Sequence, residues 1–150
     1  MNSPSSRPRG CTNFKTRQFG RLLSRQYDAE LAKVGLKTTQ YSLLSHVLKF
    51  GEIAPGELAR QMGLDASTLT RNLQPLLAAG WLVLEPGVDA RSRSICLTQA
   101  GREMQTQAQR HWKVAQQQVN GLLGNERVAM LHALIDECST LLQTEASGSS

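Results

Sequence analysis

The stretch from Pro55 to Gly80 constrains the fold of this chain more than any other. Pro55 suits the first turn of a helix, where a missing backbone N–H costs nothing. Leu58, Ala59 and Met62 follow at helical spacing, and Gly63 closes the segment. Asp65 offers a carboxylate to cap a second segment that runs to Ala79, with Gly80 just past its end. Two short helices joined by about three residues around a glycine predict a helix-turn-helix. Ala59 fits where the helices touch, Gly63 fits the turn, and Leu69 fits the buried face of the second helix. Pro75 opposes this pattern. Inside a helix it removes a hydrogen bond and clashes with the preceding turn, at about 3 kcal/mol. It predicts a kink, or a displaced last turn, beyond the residues at the front of the helix.

After Gly80 the hydrophobic period changes from 3.6 to 2. Residues 81–85 and 93–97 read as two strands around a polar loop carrying Asp89 and Arg91, which is a β-hairpin or wing. Thr98 caps a long helix with Ala100, Met104, Ala108, Trp112, Ala115, Val119 and Leu122 on one face. A break at Gly124–Asn125 precedes a last helix with Val128, Leu131, Leu134, Ile135, Cys138, Leu141 and Leu142. Upstream, Phe19, Leu22, Leu23, Tyr27, Leu31 and Val34 define a first helix from about Asn13 to Val34. Thr38 or Thr39 is placed to cap a second one carrying Tyr41, Leu44, Val47 and Leu48. The predicted class is mainly α with a small β-hairpin wing: a winged helix-turn-helix domain plus a helical dimerisation region. The long helices carry more apolar surface than a small winged domain can cover, so a homodimer is expected.

Composition narrows the function. At 150 residues and 40% hydrophobic, the chain can bury a real core. No apolar run approaches the ~18 residues that span a bilayer, and residues 1–10 hold no apolar signal core, so a cytoplasmic protein without membrane contact is expected. The net charge of +5 is unevenly spread. Residues 1–50 carry +7, whereas residues 51–101 and 102–150 carry −1 each, so arginines in the reader segment must act by position. The three cysteines are widely spaced, which argues against zinc and for free thiols. No nucleotide-binding, metalloprotease or nucleophile-elbow motif occurs, so neither catalysis nor a cofactor is expected. Residues 1–10 and 144–150 read as disordered tails, 11–36 and 99–143 as dimerisation helices, and 37–98 as the DNA-binding domain.

Several runs, in their order and spacing, carry a resemblance. They are Glu57 to Asp65, Ser67 to Leu73, Leu77 to Leu82, Asp89 to Arg93, and Leu97-Thr98-Gln99-Ala100-Gly101. Over roughly residues 13–142 the chain resembles the MarR (multiple-antibiotic-resistance regulator) family of winged-helix transcription factors. The resemblance implies a triangular dimer joined by the first, fifth and sixth helices. It also implies a palindromic double-stranded operator and repression relieved by a small ligand or an oxidant.

On such a scaffold the second helix of the pair lies in the major groove. Ser67, Thr68 and Thr70 then reach phosphates or base edges, and Arg71 suits a guanine. Asn72 either reads an adenine or faces inward. In the wing, Arg91 matches the family arginine that enters the minor groove. Asp89 matches the aspartate that shapes the loop, by pairing with an arginine, and Arg93 is a further backbone contact. For the trigger, two readings stand. One is a small molecule, such as an aromatic acid, held by Arg17 and Arg21 at its anionic end and by Tyr27, His46 and Trp112 around its ring. The other is a redox switch at Cys11, which sits where a helix N-terminus can lower a thiol pKa. Asn13 occupies the position at which the peroxide-sensing branch of the family has its cysteine. Cys96 and Cys138 read as packing residues. A winged-helix module that binds only protein is the remaining rival, and the exposed hydroxyls and loop arginines argue against it.

Overall fold

The computed structural model describes residues 7–87, 89 and 91–148. Expectations for residues 1–6 and 149–150 of the tails, and for Val88 and Ala90 of the wing loop, lie outside the described residues. The elements in order are α1 (Thr12–Leu31), a 3₁₀ turn (Ala32–Val34), α2 (Thr38–Phe50), β1 (Glu52–Ile53), α3 (Pro55–Met62), α4 (Ala66–Ala78), β2 (Leu82–Pro86), β3 (Arg93–Leu97), α5 (Gln99–Leu123) and α6 (Asn125–Gly148). This is the mainly helical winged architecture that the sequence predicts.

The helix-turn-helix forms as read. Gly63 ends α3 in the left-handed region (φ 65°), and the backbone N–H of Leu64 donates to the Ala59 carbonyl at 2.9 Å. The turn delivers Asp65, whose carboxylate caps α4 through the N–H of Thr68. Leu69, Leu73 and Leu76 on one side of α4 are buried with Leu58 and Ala59 of α3. Helix α4 is assigned without interruption across Pro75. The lost hydrogen bond at Pro75 is absorbed near the end of the helix, where Leu76 remains fully buried.

The hairpin gains a third strand that periodicity does not reveal. Two-residue β1 pairs antiparallel with β3 (Glu52 opposite Cys96, Ile53 opposite Ile95), and β2 pairs with the other edge of β3. The sheet order is therefore β1-β3-β2. Leu82, Ile53, Ile95 and Leu97 turn into the core, while Val83 is exposed and Cys96 is half-buried.

Two junctions tie the winged unit to the long helices. Asp28 of α1 accepts hydrogen bonds from the backbone N–H of Thr38 (2.7 Å) and from its hydroxyl (2.6 Å). The cap of α2 thus comes from a neighbouring helix, and not from the Thr38 or Thr39 hydroxyl that the sequence suggests. At the other junction, Thr98 donates its hydroxyl to the Gly80 carbonyl at 2.6 Å and accepts the N–H of Gly101 at 3.0 Å. The start of α5 lies so close to Trp81 that a Cβ on Gly101 would fall on the Trp81 carbonyl oxygen and 2.9 Å from the Leu97 side chain.

Core packing continues from Leu31 of α1 and Leu36, through Leu43, Leu44 and Val47 of α2, to Ala108 of α5. Trp112 stacks on Tyr41 with ring centroids 6.0 Å apart. Helix α6 differs in kind. Val128 is its one buried residue among those described. It runs through 144–148, which composition assigns to a tail. Helix formation there is continuous with the preceding turns, and Thr144 and Ser147 return their hydroxyls to the carbonyls of Thr140 and Gln143.

Two substitutions probe the junctions. Gly101→Ala is expected to cost about 1–3 kcal/mol through crowding at the α5 start. Asp28→Ala is expected to cost about 1 kcal/mol through loss of the α2 cap. Urea titrations followed by circular dichroism measure both, and an unchanged midpoint for either would remove that junction as a source of stability.

Candidate nucleic-acid interface

Burial of Leu69, Leu73 and Leu76 fixes which side of α4 meets solvent. Ser67, Thr70 and Arg71 are exposed on it, while Thr68 and Asn72 are half-buried at its edges. The front of the helix is locally ordered. The Ser67 hydroxyl donates to Asp65 Oδ1 at 2.8 Å, and the Thr70 hydroxyl donates to the Ala66 carbonyl at 2.9 Å. Arg71 Nη2 approaches Thr68 Oγ1 at 3.5 Å. The N–H of Thr68 and then the hydroxyl of Ser67 hold the Asp65 carboxyl down at about 2. An ionised carboxylate therefore fixes the rotamers of the hydroxyl residues that lead the helix.

The wing is built the same way. Asp89 Oδ1 accepts from the backbone N–H of Arg91 (3.0 Å) and of Ser92 (2.9 Å). These two bonds lower the Asp89 pKa, that from Arg91 contributing most. The loop is shaped by an aspartate gripping backbone N–H groups, whereas the sequence suggests a pairing with an arginine side chain. Arg91 of the loop and Arg93 at the start of β3 are both exposed. They line a crevice of about 360 Å³ with Leu84, Glu85, Pro86 and Ser92. Ser92, which the sequence reading passes over, closes the turn: its carbonyl accepts from the N–H of Gly87 at 2.8 Å. The Asp-x-x-Ser spacing was the signal available for it.

The residues considered for a small ligand are not gathered around one cavity. Arg17 and Arg21 line an open depression of about 490 Å³ on α1, with Gly20, Ser24, Arg25 and Asp28. Tyr27, whose pKa is raised by burial, donates to Gln116 Oε1 at 2.6 Å, and Gln116 in turn donates to Asn120. Trp112 is engaged by Tyr41. Nδ1 of His46 donates to the Ser42 carbonyl at 2.7 Å, which fixes its tautomer. A buried Glu30, unmarked by the sequence reading, links α1 to α5. It pairs with Lys33 at 2.8 Å and with Nδ1 of His111 at 3.3 Å. Cys11 is exposed at the position preceding α1, Cys138 is exposed on α6, and all three thiols are free.

The architecture and its outward-facing hydroxyls and arginines define a winged helix-turn-helix protein of the transcription-regulator class. Residues 34–92 match the model of the MarR family. The chain is similar to the transcriptional regulator MosR of M. tuberculosis, solved in complex with DNA, at 31% identity. That likeness covers 86% of this chain and 98% of MosR, with a TM-score of 0.71. The chain belongs to the MarR family. A mutant MarR from E. coli complexed with operator DNA shares the fold at a TM-score of 0.78 and 23% identity, over 84% of this chain and 91% of that one. The HTH-type transcriptional regulator YwoH of Bacillus subtilis (strain 168) is 28% identical over 81 residues, and the match spans 54% of this chain and 59% of YwoH. These relatives are transcriptional regulators and not enzymes. Among the described residues, no helix is long and apolar enough to cross a membrane.

The depressed Asp65 pKa sets a pH window. The folded carboxyl binds its proton less tightly than the unfolded one, so its bonds contribute fully above the ordinary value of 3.8 and are lost as pH falls through about 2. The melting temperature of Asp65→Ala is expected to lie below that of the wild type by a constant gap above about pH 5, closing between about pH 4 and 2. A gap that persists unchanged to pH 2 would show that Asp65 acts by something other than its charge.

Proposed function

We propose that this MarR-family regulator is a homodimer that binds a palindromic operator in double-stranded DNA, acts as a repressor in the cytoplasm, and is released by a small-molecule effector. The carrying observation is the pairing of two features on one domain. An α4 anchored by three leucines turns Ser67, Thr70 and Arg71 outward, and a wing clamped by Asp89 frees Arg91 and Arg93. Thr68 and Asn72 border this surface.

In this reading α4 enters the major groove. Arg71 reads a guanine edge, and the hydroxyls of Ser67, Thr68 and Thr70 meet phosphates or bases. Arg91 enters the adjacent minor groove, where narrow A·T-rich DNA concentrates negative potential, and Arg93 holds the backbone. Residues 37–98 are the reading domain. Residues 11–36 and 99–143 supply the dimer contacts, which the exposed Phe14, Leu22, Leu122, Met130, Leu134, Ile135, Leu141 and Leu142 support. Two copies would present their α4 helices to half-sites about 34 Å apart.

For the effector, Arg17 and Arg21 favour an anion; their depression is open in the single chain, and in the proposed dimer a second subunit beside α1 would wall it. Tyr27, His46 and Trp112 would join such a site only after leaving their present partners. The second trigger, oxidation of Cys11, is favoured by its exposure at the head of α1.

Arg91→Ala is expected to weaken binding to the promoter-derived operator by roughly tenfold or more. Its folding stability should stay within about 0.5 kcal/mol, as for a solvent-exposed substitution. Fluorescence anisotropy titrations at several salt concentrations measure this. The wild type should lose affinity steeply with salt, as phosphate neutralisation requires. Unchanged affinity in the variant would sink the wing assignment, and absence of salt-dependent duplex binding by the wild type would sink the DNA reading.

A further inference from the structure

Two groups of charges of opposite sign are left without an ionic partner among the described residues, and they sit on two helices that expose large apolar side chains. On α1, Lys15, Arg17, Arg21 and Arg25 are all exposed. The two acids of that helix are already committed, Asp28 to Thr38 and Glu30 to Lys33 and His111. On α6, Glu126, Asp136 and Glu137 are exposed, and the helix's Arg127 donates instead to the Leu123 carbonyl at 2.9 Å. The remaining ion pair among the described residues, Glu57 with Arg60, lies on α3.

Helix geometry orders these charges. Arg17, Arg21 and Arg25 stand one turn apart in a row about 12 Å long. Phe14, 60% exposed, continues that row, and Leu22, 52% exposed, borders it. Glu126 and Glu137 are eleven residues apart, which is three turns, so they share one side of α6 about 16 Å apart. That side borders the exposed Met130, Leu134 and Leu141. Each helix thus carries an apolar row edged by charge, positive on α1 and negative on α6. This is the pattern by which flanking charges choose the partner and register of packed helices.

We propose that the arginine row of α1 seats against the Glu126–Glu137 edge of α6 from a second copy of this chain, so that charge pairing as well as apolar burial holds the dimer. The proposal rests on the dimer reading above and specifies its contacts. Two-fold symmetry forms the α1–α6 contact twice, so reversing one row is felt at both places. Pairs at the rim of an apolar interface are partly desolvated and weaken as salt is added.

The test uses the full-length chain in sedimentation equilibrium at low and high salt. Arg17→Glu/Arg21→Glu/Arg25→Glu is expected to raise the dimer Kd at least about tenfold at low salt, with a smaller effect near 0.5 M salt. Glu126→Lys/Glu137→Lys is expected to do the same. An equimolar mixture of the two variants should recover tight association as a heterodimer, since every α1–α6 contact is then between opposite charges. That recovery also shows that both variants are folded. Asp136→Lys, about 100° around α6 from Glu137 and off that edge, controls for net charge and should leave Kd within about twofold. A reversed-arginine variant that dimerises like the wild type at low salt overturns the pairing, as does a mixture that fails to recover. If that variant keeps its dimer but loses duplex or anion affinity, the row serves that ligand instead and the pairing is overturned. A wild type that is monomeric throughout overturns the dimer reading itself, and the pairing with it.

Discussion

Leu69, Leu73 and Leu76 are held in the core by α2 and α3, and that anchoring leaves Ser67, Thr70 and Arg71 facing solvent. The rest of the reading surface follows. Once α4 cannot rotate, its leading turn is aimed, and Asp65 completes the arrangement by binding the hydroxyl of Ser67 and the N–H of Thr68. The wing obeys the same logic on a smaller scale. Asp89 uses its carboxylate on backbone N–H groups, so the two arginines are not drawn back into the loop. In both places an acid binds backbone N–H groups of the segment, and the arginines beside it, Arg71 and Arg91, are not bonded to that acid. A nearly neutral segment can present local positive charge in this way.

The reading domain is not hung loosely from the long helices. Asp28 binds α1 to the start of α2, and the Thr98–Gly101 corner binds the end of the wing to the start of α5. Glu30, shared between Lys33 and His111, closes a third link between α1 and α5. These links are short, polar and partly removed from water, so they join α1 and α5 to α2 and the sheet.

Helix α6 stands apart from this economy. It buries Val128 against its own chain and leaves Leu142 73% and Leu141 61% exposed. Apolar surface of that extent on a continuous helix is unfavourable in water, and the proposed packing against a second copy would remove it. Glu126 and Glu137 beside it have no ionic partner among the described residues, and under the proposed pairing they would make the surface selective as well as adhesive.

Much of this was legible in the residues. Local signals determined the helix-turn-helix, the two caps at Asp65 and Thr98, the wing, and the break at Gly124, because each depends on neighbours within a turn or a strand pair. The outward row on α4 was readable too, since helical period alone separates Leu69 and Leu73 from Ser67, Thr70 and Arg71. Other features had no local signal. Strand β1 is two residues long and exists only because β3 offers it an edge. The Asp28 cap acts across ten residues on a different helix. Gly101 is required by the Trp81 carbonyl, which folding brings beside it. Tyr27, His46 and Trp112 share no cavity with Arg17 and Arg21, because a helical face gives direction but not the depth at which a side chain finds another partner. Periodicity and capping set what each segment becomes; long-range packing alone decided which segments touch, since those contacts join residues whose sequence neighbours carry no record of them.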